Sequence, residues 1–115
     1  MTARQLPLAL VAAALLLSAC SPHPGSGEWV ADPQEPDNYS RLKVEFDGKA
    51  FLFVPGREEH LVRCFWAGAD KQTINMDCMV NDPSERRIAY QLRVVSDTRS
   101  ELREAGIVLA RFRRK

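Results

Sequence analysis

The sequence predicts an all-β domain, a small antiparallel meander of six or seven short strands that closes into a barrel or a sandwich. Apolar and polar residues alternate with period two through most of the chain from residue 41 onward. Short segments rich in Gly, Pro, Asn and Asp separate the alternating runs, as turns between strands require. With 115 residues, the chain is long enough for one small domain.

The charge balance argues against a nucleic-acid partner. The chain has 16 Lys and Arg against 15 Asp and Glu, which gives a formal net charge of +1. Proteins that bind nucleic acids carry a strong basic field, and this composition does not produce one.

The first 20 residues have the layout of a signal peptide. A polar start that contains Arg4 leads into an apolar run of Leu, Ala and Val, and Cys20 follows. As a helix, the fourteen residues 6–19 would cover about 21 Å. A membrane-spanning helix must cross about 30 Å of hydrocarbon. We therefore expect residues 1–19 to be removed.

The motif Leu17-Ser18-Ala19-Cys20 resembles the lipobox of bacterial lipoproteins at every position. The resemblance implies that cleavage frees Cys20, which is diacylated on its sulfur and acylated on its new amino group. Several acyl chains hold a domain almost permanently on a membrane. In lipoproteins of this kind, an Asp directly after the lipidated Cys implies retention in the inner membrane. The residue at this position is Ser21, so the resemblance favours the periplasmic side of the outer membrane.

Residues 20–38 are expected to form the lipidated start and a flexible tether, because four Pro and two Gly residues disfavour regular structure there. Trp29 interrupts this composition and is expected to plug one end of the core. The β-domain is predicted to span residues 39–115.

The first hairpin is predicted around Asp47-Gly48, a frequent pair in two-residue hairpin turns. Such a loop pairs Phe46 with Lys49. The same register pairs Val44 with Phe51 and Leu42 with Phe53.

The second hairpin is predicted from two signals that agree. Pairing Cys64 with Cys78 also pairs Val62 with Val80 and Trp66 with Met76, so one register satisfies the apolar face and a disulfide. Lipidation of Cys20 leaves an even pair of cysteines, and the space beyond the inner membrane is oxidising. The alternative, a metal site made by both cysteines and His60, lacks a fourth ligand.

The last part of the chain permits two interpretations. Residues 88–95 alternate as a strand, and the following segment either pairs with it across residues 97–100 or forms a helix capped by Ser100. Pairing as a strand would set Arg93 opposite Glu104. We favour the strand, because Gly106, Ile107 and Val108 disfavour a helix.

A further resemblance concerns the two ends of the domain. Gly27-Glu28-Trp29 with a late Arg, either Arg111 or Arg113, resembles the Gly-x-Trp and closing Arg of lipocalin-type barrels. The resemblance implies a barrel in which this Arg packs over Trp29. A domain this short has a narrow interior, which we expect to be filled by four aromatic residues: Phe51, Phe53, Trp66 and Tyr90.

The sequence predicts neither an enzyme nor a cofactor. It has no nucleophile elbow, phosphate-binding glycine loop or zinc-binding helix motif. His60 follows Glu59 directly, and neighbouring residues on a strand point to opposite faces, so they make a poor catalytic pair.

Three functions remain open. The first is a non-enzymatic lipoprotein of the cell envelope that binds another protein. Its candidate contact residues are Phe65 on the outer face and Arg111, Arg113 and Arg114 in the C-terminal basic cluster. Coverage of Phe65 by a second sheet and a frayed, solvated C-terminus are the structural alternatives. The second function is a lipocalin-like carrier of a small apolar ligand, and an enzyme inhibitor is a third possibility.

Overall fold

A computed structural model describes residues 22–33 and 39–115, and these residues form an eight-stranded antiparallel barrel without a helix. The strands are β1 (Gly27–Ala31), β2 (Arg41–Val44), β3 (Lys49–Phe53), β4 (Val62–Gly68), β5 (Thr73–Val80), β6 (Arg87–Ser96), β7 (Arg99–Glu104) and β8 (Ile107–Arg114). Each strand pairs with the next, and β8 pairs with β1 to close the barrel. The predicted all-β meander is confirmed, with one or two strands more than expected.

The interior of the barrel is built by the period-two alternation. In β6, every second residue from Ile88 to Val94 is buried and the residues between them are exposed. The other strands follow the same pattern, because successive side chains of a strand point to opposite faces. The largest fully buried side chains are Trp29, Phe112, Leu42, Leu52, Ile74, Met76, Leu92 and Leu102.

The first strand lies inside the segment predicted as a tether. Gly27–Ala31 pairs with β2 on one side and with β8 on the other, so the barrel begins twelve residues before the predicted boundary at residue 39. The prediction of a flexible tether over residues 20–38 is therefore wrong for β1. Trp29 supplies the physical reason, because it is fully buried and fixes this strand to the core, as predicted for the residue itself.

The predicted register of the first hairpin is wrong by one residue. Val44 pairs with Ala50 and Leu42 pairs with Leu52, because the loop contains three residues. Gly48, at a φ of +92°, closes this loop, and the Glu45 amide donates to the Lys49 carbonyl.

The one-residue shift exchanges the faces of β3. Ala50 and Leu52 face the core, whereas Phe51 and Phe53 are half-buried on the outer face. The expectation that Phe51 and Phe53 fill the interior is therefore wrong. Tyr90 is buried as expected, and Trp66 is half-buried.

The second hairpin has the predicted register. Cys64 pairs with Cys78, Val62 with Val80 and Trp66 with Met76. The two cysteines form a disulfide inside the barrel.

The end of the chain is strand, as favoured, but it forms two strands instead of one. β6 turns into β7 at residues 97–98, and β7 turns into β8 at Ala105-Gly106. Arg93 consequently pairs with Glu101 and not with Glu104. Ala105 and Gly106 both have positive φ, as a two-residue hairpin loop of this type requires. The sequence did not predict this loop, because Ala is not typical of a position with positive φ.

Three turns and the first described residues lie at one end of the barrel, which we call the tether end. It carries residues 22–26, the β2–β3 turn, the β4–β5 loop, the β6–β7 turn and the end of β8. The β7–β8 turn, the loops that follow β3 and β5, and residues 32–33 and 39–40 lie at the opposite end.

Candidate functional site

The tether end is closed by a contact between the first and last strands. The Arg114 guanidinium lies 4.0 Å from the centroid of the Trp29 ring. It also donates to the backbone carbonyls of Pro24, Ser26 and Asp97 at 2.6 to 3.0 Å. The residue that packs over Trp29 is therefore Arg114, and neither Arg111 nor Arg113, which were expected there. These contacts give Arg114 a structural role, and its role as a partner contact stays a prediction.

The residues before β1 are also fixed to the tether end. His23 Nε2 lies 2.7 Å from the Asp70 carbonyl oxygen in the β4–β5 loop, and the His23 ring meets the Trp66 ring edge-on at 6.1 Å. The Trp29 indole donates to the Gly25 carbonyl at 3.0 Å. The segment from His23 to Ser26 therefore packs on the barrel.

The other C-terminal arginines lie on the outer face and do not form one cluster. Arg111 is within 3.3 Å of the Glu101 carboxylate, which the Arg103 guanidinium also contacts at 2.6 Å. The hydrogen bond from Arg103 is the main reason that the pKa of Glu101 lies below its usual value. Arg113 is exposed beside Val30 of β1. The predicted C-terminal basic cluster is therefore spread over both faces of β8.

Phe65 lies on the outer face of β4 and is 71% exposed. Its neighbours across the sheet are Lys49 on β3 and Asp77 on β5. Phe65 borders a shallow outer concavity of about 590 Å³, which we call the Phe65 groove. The outward-facing side chains of the groove are Ala67, Asn75, Asp77, Ala89, Gln91 and Arg103, and the β7–β8 turn at Ala105-Gly106 also borders it.

The Phe65 groove combines a small apolar floor with a polar edge. Ala67 and Ala89 leave space on the sheet, and the Gln91 side chain donates to Asn75 at 2.8 Å. Phe65 on β4 is four strands away from Arg111 and Arg113 on β8. The predicted partner contacts therefore lie on opposite sides of the barrel and do not form one surface.

The interior of the barrel is packed by its own side chains. Leu42, Leu52 and Leu92 have no accessible surface, and neither have Leu102 and Phe112. An internal cavity large enough for a ligand would leave accessible surface on the side chains around it. The core is therefore dense where a lipocalin-type carrier needs space.

Two buried tyrosines form a hydrogen bond with each other in this interior. The hydroxyls of Tyr39 and Tyr90 share a hydrogen bond at 2.8 Å, and their rings meet edge-on. Burial is the main cause that raises the pKa of Tyr90 well above its ordinary value of 10.0, and the Tyr39 hydrogen bond adds to it.

The described residues contain no group of three or more His, Cys, Asp and Glu side chains that could hold a metal ion. Cys64 and Cys78 are joined to each other and buried, while His60 packs on Phe51 on the outer face at 4.7 Å between ring centroids. The alternative metal site is therefore not assembled. Cys20, the predicted lipid attachment site, lies outside the described residues.

Two surface features were missed by the sequence analysis. Phe46 is 76% exposed at the tip of the β2–β3 turn, whereas the predicted register placed it in a strand. Arg103 lines the Phe65 groove although it lies far from Phe65 in sequence. Asp47-Gly48 could also have been interpreted as the end of a three-residue loop, which is another common hairpin loop. That interpretation would have placed Phe46 in the turn.

No helix among residues 22–33 and 39–115 has the length and apolar character needed to span a membrane. The chain matches no family model, and comparison with curated proteins and with solved structures finds no significant match.

Proposed function

We propose that this protein is a non-enzymatic lipoprotein of the bacterial cell envelope, anchored through acyl chains on Cys20, which binds another protein through the Phe65 groove. The anchor follows from the lipobox resemblance at Leu17-Ser18-Ala19-Cys20. The same resemblance favours the periplasmic side of the outer membrane. A protein partner in that envelope is the role we assign to the barrel.

The observation that carries the binding role is the exposed ring of Phe65 beside the groove. Protein interfaces commonly use an aromatic anchor at the centre of a polar rim. Phe65 has Lys49 and Asp77 on either side, and the alanines next to it leave room for a partner side chain. The densely packed core favours this outer surface over the alternative of an internal ligand carrier.

A site-specific cross-linker in cells tests the partner. Phe65 is replaced by the photoreactive residue p-benzoylphenylalanine in the full-length chain, and Arg113 is replaced in the same way as the control. Arg113 is a suitable control because it is exposed on the outer face of β8, four strands away from Phe65. We expect one protein adduct of defined mass at position 65 and none at position 113.

A second substitution ties the adduct to the groove. Asp77→Arg reverses the charge directly beside Phe65 and should remove the adduct at position 65. No adduct at position 65, or the same adducts at both positions, would contradict a protein-binding groove. Mass spectrometry of the intact chain reports the acyl groups, and a small molecule that stays bound would favour the carrier.

A further inference from the structure

We propose that the tether end of the barrel rests directly on the lipid surface, with the Phe46 side chain inserted among the lipid headgroups. This inference rests on the proposed acylation of Cys20, and it adds a second membrane contact that the lipobox does not imply. The barrel then has a fixed orientation on the membrane instead of moving freely on a long linker.

The first argument is the short distance between the anchor and the barrel. Cys20 precedes Pro22 by two residues, which span at most about 7 Å when fully extended. The next residue, His23, is already fixed to the β4–β5 loop, and the Pro24 carbonyl accepts a hydrogen bond from Arg114. The headgroup region on each side of a bilayer is also about 5–8 Å thick. An acylated Cys20 therefore holds the tether end against the headgroups.

The second argument is the exposed apolar surface at the same end. Phe46 is 76% exposed at the tip of the β2–β3 turn, more than Phe65, Ile107 or Val95. Val95, 51% exposed, lies two residues before the β6–β7 turn at this end. Exposed aromatic side chains are unfavourable in water and insert readily at the membrane interface. Phe46 and Val95 lie at the same end as the proposed anchor, so we infer that the surface they contact is the lipid surface.

The charges of this end set the expected lipid dependence. The turns, the start of β3 and the end of β8 carry four carboxylate side chains and four cationic side chains, namely Glu45, Asp47, Asp70, Asp97, Lys49, Lys71, Arg114 and Lys115. Lys49 also lies 3.9 Å from Asp47, so part of this charge is paired internally. An electrically balanced surface gains little from anionic lipids. The contact should therefore form equally well on neutral and on anionic vesicles.

Tryptophan substitution at the two exposed phenylalanines tests the orientation. Phe46→Trp and Phe65→Trp are made in the acylated full-length chain, and each is reconstituted in phosphatidylcholine vesicles with or without bromine on the acyl chains. Bromine quenches tryptophan fluorescence only at short range, and the signal of Trp29 and Trp66, which both variants share, is measured for the wild-type chain in the same vesicles and subtracted. We expect the added signal of Phe46→Trp to be quenched at least about twofold more than that of Phe65→Trp.

The outcomes separate this inference from the proposed function. An acylated chain in which both added tryptophans are quenched equally would overturn the membrane contact and leave the anchor intact. A chain without acyl mass would overturn the anchor, and with it this inference. Hydrogen exchange without the tryptophan substitutions gives an independent measurement: amides of the β2–β3 turn should exchange more slowly in the acylated chain on vesicles than in the non-acylated chain of residues 21–115 in solution. The β7–β8 turn at the opposite end should exchange at the same rate in both, and equal rates at both turns would also overturn the contact.

Discussion

Trp29 and Arg114 are paired across β1 and β8, and the guanidinium of Arg114 stacks on the indole ring at 4.0 Å. This pair joins the two ends of the described barrel at the point where the sheet closes. The ring is fully buried, while the guanidinium reaches three backbone carbonyls around it. One side chain therefore covers the core, closes the barrel and holds residues 24–26 in place.

We expect Arg114→Ala to lower the free energy of unfolding by about 2–3 kcal/mol, because it removes a cation–π contact with a buried indole and charged hydrogen bonds to three backbone carbonyls. Arg113→Ala is the matched control on the neighbouring residue, which faces outward and should change stability by less than about 0.5 kcal/mol. Urea unfolding followed by fluorescence measures both. Equal effects of the two substitutions would contradict a structural role for Arg114.

The sequence predicts the all-β class because apolar and polar residues alternate with period two in nearly every strand. The β4–β5 hairpin has the predicted register because two separate requirements, the disulfide and the apolar face, select one pairing. The register of the first hairpin depended on one signal, and its prediction was wrong by one residue. Asp47-Gly48 permits a loop of two or three residues, and the choice moves Phe51 and Phe53 from one face of the sheet to the other.

The candidate site was less predictable than the fold. The exposure of Phe65 follows from alternation within one strand, so the sequence was sufficient for it. The Phe65 groove also contains residues of β5, β6 and β7, and their alignment depends on registers that cannot be read from a single strand. The split at Ala105-Gly106 was missed because Ala rarely occupies a position of positive φ.

Ala105 offers a direct test of that turn. Its φ of +50° is unfavourable for Ala and is tolerated better by Asn, which is typical of this hairpin loop when followed by Gly. We expect Ala105→Asn to raise the free energy of unfolding by about 0.5–1 kcal/mol. Ala67→Asn, at an exposed strand position, should give no gain. Thermal unfolding distinguishes them, and a loss of stability in Ala105→Asn would contradict the assigned turn.

The Cys64–Cys78 disulfide closes a segment with a sequence separation of 14 inside the core. Replacing both cysteines by Val keeps apolar side chains next to Val62 and Val80 but removes the cross-link. We expect a loss of about 3 kcal/mol in the free energy of unfolding, since the unfolded chain regains its freedom. Urea unfolding of the wild type with and without dithiothreitol should show the same loss. A reductant effect on the double variant would show that the loss has another origin.

Alkaline pH tests the buried pair of tyrosines. Because the pKa of Tyr90 is higher in the folded barrel than in the unfolded chain, its stabilising contribution is complete below pH 10 and is lost as the pH rises above it. In that range the wild-type free energy of unfolding should fall by about 1.4 kcal/mol per pH unit more than that of Tyr90→Phe. Tyr39→Phe is the control: it removes the shared hydrogen bond but leaves Tyr90 buried, so most of the extra pH dependence should remain. Urea unfolding midpoints between pH 9 and about pH 11.5 provide the measurement, and parallel curves for wild type and Tyr90→Phe would mean that Tyr90 ionises as easily in the barrel as in the unfolded chain.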